Sequence, residues 1–495
     1  MRYLRALTIL SVLVTCLNLV ACQETGVDPV QQGVATITAE ALLEDVSALA
    51  APRFGGRLPG TPGYEAAARW AAARFKNLGL EPGGDDGYLQ HLPIELNEIQ
   101  GTPVLEVTGA DGLSSSCVLG RDFVCRGFSG SGEVSGPVVF VGYGLHAPER
   151  GYDDYADVDV TGAIVLCLKR NPSWQPGDDK WEWEDSTPRA RAAAAVVHGA
   201  AALLWVEPEK PEREHDRGPI GSVLHGSGSH HPEFPHLEIS ERVADQLVGR
   251  VGGLRELQVT IDGDQVPHSQ ALASRARVEV QASYDPARES CNVVAVLPGS
   301  DDKLKEEALI LGAHLDHVGR QSPEFYFPGA NDNASGSAAI LRLAEAFVRS
   351  GERPRRTVVF VLFAGEESGL VGAEYHAEHP YIALDHTRAM FNFDCIAHGD
   401  SIRIGGGKSA VGLWDRARSL DAAHARMSTA ATWEGGGADA QPFYDKDVQT
   451  LYWVTTNSYR HLHAPTDTPE TLNGPLYEEL VKLGFRTAWE VAQGG

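Results

Sequence analysis

The 495-residue chain is longer than one compact core supports and long enough for two domains. Hydrophobic residues make up 43% and charged residues 22%, the balance of a soluble globular protein rather than a disordered or fibrous one. A formal net charge of −25 leaves no basic stripe for a phosphate backbone, which argues against nucleic acid as a partner.

Residues 1–22 stand apart. Arg2 and Arg5 precede the apolar run ALTILSVLVTCLNLVA, the layout of an export signal and too short for a comfortable membrane span; a short anchor helix is the alternative. The motif LVAC resembles the lipobox of bacterial lipoproteins. It implies that Cys22 is lipidated after cleavage and that Cys16 is discarded with the signal. The chain would then be exported and held by its lipid to a membrane facing the periplasm or cell exterior. Residues 23–36 read as a flexible tether.

From 37 to 105 the chain begins its first folded unit. ITAEALLEDVSAL and PGYEAAARWAAARFKNLG predict two amphipathic helices, separated by the loop RFGGRLPGTPG. Residues 106–280 change texture to short strands such as GPVVFVGYG and GAIVLCLKR between turn-rich stretches. RAAAAVVHGAAALLWV (191–206) reads as a helix that breaks at Gly199 into a strand, not as a membrane span. Residues 281–495 alternate strands (NVVAVLPG, ALILGAH, RTVVFVLFAG, TRAMFNFD, LYWVTT) with helices (ASGSAAILRLAEAFVRSG, SGLVGAEYHAEH). That alternation predicts an α/β fold with a mostly parallel central sheet and helices on both faces. Five cysteines lie beyond the signal, with no CxxC spacing; Cys117 and Cys125 are close enough in sequence to bridge in an oxidising compartment.

Ligands of such sheets bind outside the carboxyl ends of the strands, and the ionisable residues gather there. His314 follows LILGA, Asp332 lies in GANDNASG, Glu366 and Glu367 follow VVFVLFAG, Asp394 closes AMFNFD, and His463 follows LYWVTT. Singly, each has a plain structural reading: Asp332 as a helix cap, the glutamates at a helix N-terminus. Together they crowd carboxylates that need cations to neutralise them, and imidazole with carboxylate suits zinc. His230 and His231 in GSGSHHPEFPH read as a solvated loop.

AHLDHVG, GANDNASG, AGEESGLVGA, FNFD and HAPTDT, in that order, resemble the motifs of the co-catalytic di-zinc aminopeptidase family, which also holds glutamate carboxypeptidases, glutaminyl cyclases and transferrin receptors. The resemblance covers most of 285–495 and the two N-terminal helices. It implies two Zn2+ per chain and a peptide substrate. Asp332 would bridge the ions, His314 and Asp394 would complete one shell, and Glu367 and His463 the other. Glu366 would be the general base, Asp316 would orient His314, and a cis peptide would follow Asp332. A tyrosine would stabilise the oxyanion, with Tyr444, Tyr452 and Tyr459 all open. Cys395 stands where the family commonly has methionine and reads as an apolar filler, with an extra soft metal ligand as the alternative. His317, on the opposite side of an extended chain from His314 and Asp316, is left as a structural or rim residue.

Residues 106–280, with FVGYGLHAPERGYDDYADVDVTGAIVLCLKRNP, are similar to the β-rich protease-associated domain commonly inserted into this fold. The resemblance implies an exopeptidase, foremost an aminopeptidase. A carboxypeptidase, a glutaminyl cyclase and a silent receptor-like binding protein are the alternatives. Oligomeric state is not legible.

Overall fold

The computed structural model describes residues 28–172, 174, 187–208, 219–223, 229–249 and 252–495. The export signal and the expected lipidation site Cys22 lie outside them. Helix α1 (Pro29–Ala35) begins at once: Asp28 accepts the N–H of Val30 at 3.0 Å and proline occupies the first turn. Residues 29–35 are therefore not tether. Val34 is buried, and a Cβ on Gly33 would lie 2.4 Å from the Phe485 ring, so α1 packs directly on the C-terminal helix.

Helix α2 (Ala39–Leu49) is capped by Thr38 and buries Leu42, Val46 and Leu49 along one stripe. Helix α3 (Pro62–Asn77) is capped by Thr61, buries Tyr64, Ala67, Ala68, Ala71 and Phe75, and gives way to Gly79 at φ +76°. Strand β1 (Leu89–Thr108) then leads out of this unit.

The inserted region contributes β2 (Phe123–Cys125), β3 (Gly132–Phe140), the hairpin β4 (His146–Ala147) and β5 (Tyr152–Asp153), β6 (Ile164–Leu168), α4 (Pro188–Val197), β7 (Ala202–Val206), β8 (His236–Ile239), α5 (Glu241–Val248) and α6 (Gly253–Asp264). The chain does break at Gly199, φ +85°, between α4 and β7. Strand β9 (Gln270–Leu297) leads back, pairing antiparallel with β1 from Thr108↔Arg275 to Leu89↔Val293. These long strands run through both expected boundaries, 105/106 and 280/281, so the two units share one sheet.

The remaining elements are β10 (Ala308–His314), α7 (Ser335–Arg349), β11 (Thr357–Phe363), α8 (Val371–Glu378), β12 (Thr387–Phe393), β13 (Ile402–Gly405), α9 (Val411–Ala423), β14 (Thr450–Thr455) and α10 (Gly474–Ala492). The strand order is β13-β14-β12-β10-β11-β9-β3-β6-β7-β8-β2. β10 is parallel to β11 and β12, and β12 to β14, whereas β13 and β9 run antiparallel to their neighbours.

Every residue of β10 is buried. Leu309, Leu311 and Ala313 enter the core shared with α2, α3, α7 and α10; Ala308 and Ile310 enter a second core beneath α8. Helices cover both faces, as the alternation predicts. No helix among the described residues is long and apolar enough to cross a membrane.

All five cysteines described are free. Cys117 and Cys125, close enough in sequence to bridge, are not paired: Cys125 is fully buried in β2, facing Leu237 across the ladder to β8. Burial raises the Cys117 thiol to about 11.

Candidate active site

Because β10, β11, β12 and β14 are parallel, their carboxyl ends share one edge, and the loops there converge. β10 ends in His314, whose Nε2 is 3.4 Å from both Asp332 Oδ1 and Asp394 Oδ1 and 4.0 Å from Glu366 Oε2. His463 Nε2 lies 2.8 Å from Glu367 Oε2 and 3.2 Å from Asp332 Oδ2. The two oxygens of Asp332 therefore face two different imidazoles. The six strand-end residues picked from the sequence are brought together.

His317 corrects the sequence reading. It is fully buried, its Nδ1 lies 2.9 Å from Glu367 Oε1 and 3.7 Å from Asp332 Oδ2, and its ring centroid is 5.6 Å from that of His463. Two-residue alternation does not apply to it, because the strand ends at His314 and the His317 N–H instead donates to the Arg57 carbonyl. Asp316 is also placed differently in detail. Its carboxylate accepts the N–H groups of Glu366 (3.2 Å) and Glu367 (3.3 Å), while His314 Nδ1 lies 3.7 Å from that carboxylate and 3.3 Å from the Asp316 carbonyl. Asp316 thus holds the turn that carries both glutamates.

Asp332 is fixed from behind. Asp467, in the HAPTDT stretch, accepts the N–H groups of Asn331 (2.9 Å) and Asp332 (3.0 Å), and the Asp332–Asn333 peptide is cis. Gly329 opens the loop at φ +56°; a Cβ there would sit 2.3 Å from the Asp332 carbonyl oxygen and 2.4 Å from the His317 ring, so only glycine fits. Arg57, buried, ties the N-terminal segment to the same loop through Leu49, Leu315, Pro328 and Gly329 carbonyls. Burial lowers its guanidinium to about 10 against the pull of Asp332, Asp467, Asp316 and Glu367. Of the three tyrosines left open, Tyr452 donates to Asp394 Oδ2 (2.8 Å), and the exposed Tyr459 meets the Tyr452 hydroxyl at 3.2 Å. Tyr444 packs beside Gly435, outside these contacts.

Electrostatically the edge is short of positive charge. Burial works against a charged His314, but Glu366, Asp316 and Asp394 outweigh it and hold the imidazole well above its ordinary range. Burial pushes Glu366 well up, with Glu367, Asp394 and Asp439 adding to the shift. Burial would raise Glu367 too, yet His463 and His317 hold it well below the ordinary range. Asp439, fully buried and with neither oxygen hydrogen-bonded, is pushed well up by burial and by Asp316, Asp394 and Glu367. No pattern in GGGADAQ marks it in the sequence. Two trios, His314–Asp332–Asp394 and His317–Asp332–Glu367, each bring three ligand atoms within 4.8 Å of one another, with Asp332 common to both. Imidazole nitrogens and carboxylate oxygens around an uncompensated buried negative cluster are a donor set for divalent transition metals. Cys395 belongs to neither trio, and burial beside Asp394 keeps its thiol protonated. His230 stacks on Tyr284 with ring centroids 4.0 Å apart and joins no such group.

Residues 292–485 match the model of the family described as Peptidase family M28. A probable leucine aminopeptidase of Arthroderma otae is 33% identical over 117 residues, covering 23% of this chain and 32% of that protein. A probable glutamate carboxypeptidase of Arabidopsis thaliana is 25% identical over 382 residues, 68% of this chain and 49% of that protein. The chain therefore spans less than half the length of either curated relative. Among solved structures, a peptidase M28 precursor from Shewanella amazonensis superposes with a TM-score of 0.67 at 18% identity, over 94% of this chain and 95% of that one. An aminopeptidase from Aneurinibacillus superposes with a TM-score of 0.62 at 19% identity, over 93% and 95%. Both superpositions show the same mixed α/β fold.

Proposed function

We propose that the chain, whose residues 292–485 match the model of Peptidase family M28, is a zinc exopeptidase that removes N-terminal residues from peptides. The observation that carries this reading is the placement of Asp332 between two donor sets, with Glu366 alongside. Two zinc ions would fit that arrangement: His314, Asp332 and Asp394 would hold one, and Asp332, Glu367 and His463 the other. Bound zinc would supply a water of lowered pKa and polarise the scissile carbonyl.

The protein's own groups account for the remainder. Glu366, raised by burial against the pull of His314, takes a proton from the attacking water and returns it to the leaving amine. Asp316 fixes Glu366 and Glu367 through their backbone N–H groups. His317 occupies the second oxygen of Glu367, leaving the first turned to His463. Tyr452 is committed to Asp394, so the exposed Tyr459 hydroxyl is the donor for the carbonyl oxygen as it gains charge. Residues 106–280 act as a protease-associated domain that limits substrate size, and Cys22 carries a lipid anchor. Labelling with a palmitate analogue tests the anchor: Cys22→Ser is expected to release the chain from membranes.

The second reading, release of C-terminal acidic residues, is favoured by the carboxypeptidase-named relative aligned over 68% of the chain. A screen of aminoacyl amides against C-terminally acidic dipeptides separates the two. Hydrolysis of the amides alone supports the first reading, and hydrolysis of the dipeptides alone overturns it.

A further inference from the structure

The described residues hold one other convergence of metal-ligating side chains, in the inserted region and on none of the elements that build the strand-edge site: His146, Asp153 and His198. We propose that these three bind a divalent transition metal, a site separate from the M28 centre, and that the ion pins helix α4 to the β4–β5 hairpin.

The geometry follows from the sequence LHAPERGYDD. Gly151, at φ +76°, lets the chain turn back, so His146 and Asp153 stand directly opposite each other in an antiparallel pair. His146 Nδ1 lies 3.1 Å from Asp153 Oδ1. The Tyr155 N–H donates to the same oxygen at 3.0 Å, which fixes the carboxylate's rotamer. The third ligand comes from the residue that ends α4. His198 Nε2 lies 3.4 Å from His146 Nδ1, and its ring stacks on the buried Tyr155, centroids 4.4 Å apart and planes 4° from parallel. Arg191, donating to the Tyr143 and Leu168 carbonyls, holds α4 in place beneath.

Protons alone serve this arrangement poorly. If His146 Nδ1 carries a hydrogen, Asp153 takes it at 3.1 Å and His198 Nε2 can at best share it as a second acceptor at 3.4 Å. If Nδ1 is bare, its lone pair faces the Asp153 oxygen. A cation between the three atoms satisfies all of them. Two of the three edges suit a small ion: ligands about 2.0–2.1 Å from a tetrahedral zinc sit roughly 3.3–3.4 Å from one another, against the 3.1 and 3.4 Å observed from His146, and all three ligand atoms lie within 4.8 Å. Two imidazoles with one carboxylate select zinc, copper or nickel over calcium or magnesium. The carboxyl end of α4 adds its partial negative charge, and the exposed edge of His146 leaves room for water as a fourth ligand.

The test counts zinc per folded chain. Full-length protein and its Asp153→Asn and His198→Gln variants are saturated with zinc, desalted and assayed by elemental analysis. The expected result is a loss of one zinc equivalent in each variant, with hydrolysis unchanged. Equal zinc content in wild type and variants overturns the proposal. Because the readout is a difference between chains sharing the strand-edge site, it does not depend on the M28 reading. Where a variant fails to fold, carbethoxylation of the wild type, mapped by mass spectrometry with and without zinc, decides the question. Zinc protection of His146 and His198 supports the site, and equal modification overturns it.

Discussion

Glu366 and Glu367 are adjacent in sequence, yet their surroundings separate them: burial and neighbouring carboxylates raise Glu366, whereas His463 and His317 hold Glu367 low. Glu366→Gln is therefore expected to retain metal while turnover falls roughly 10²–10⁴-fold, the usual worth of a positioned general base. Glu367→Gln is expected to lose metal, and equal metal loss in both variants would falsify the division of roles. His317→Ala removes the partner of Glu367 Oε1 and should weaken metal affinity by roughly 10–100-fold, as read by competition with a chromogenic chelator. Tyr459→Phe should lower kcat roughly 10²–10³-fold if its hydroxyl meets the oxyanion; an unchanged kcat would assign that role elsewhere. Six of the site's side chains were legible because each follows an apolar strand or, for Asp332, stands in the loop that opens the next helix. His317 was not, because an alternation rule holds only while the strand lasts. Asp439 and Arg57 were not, because a buried charge in a glycine-rich loop looks like any exposed one until the loop is folded.

At the scale of elements, the loop carrying Asp332 depends on HAPTDT through Asp467 and on the N-terminal segment through Arg57. The sequence marks both stretches as loops but cannot show that they meet. Helix α8 is tied to β1 in the same way: His376, fully buried, has its Nδ1 2.9 Å from Gln90 Oε1, and burial lowers it to about 4. A histidine depressed in the fold favours folding above its unfolded pKa of about 6.5, and that contribution is lost as pH falls towards its folded value. A shift of this size corresponds to about 3 kcal/mol. Urea midpoints of wild type and His376→Phe should therefore converge as pH is lowered from about 7 to about 4. A pH-independent difference would show that His376 does not titrate in this way.

At the scale of the molecule, alternating strands and helices foretold the layered α/β architecture, because a strand buried on both faces reads as an apolar run. They did not foretell that β1 and β9 carry one sheet through both units, since strand length across a boundary is set by pairing partners distant in sequence. The edge carrying His314, Asp394 and His463 gathers negative charge, which is what the proposed zinc ions neutralise. The most direct test is turnover of a chromogenic aminoacyl amide by the full chain after chelator treatment and again after zinc is restored. Turnover should vanish in the stripped protein and return with zinc. Turnover that survives stripping, or that is absent from the zinc-loaded chain, would contradict the account.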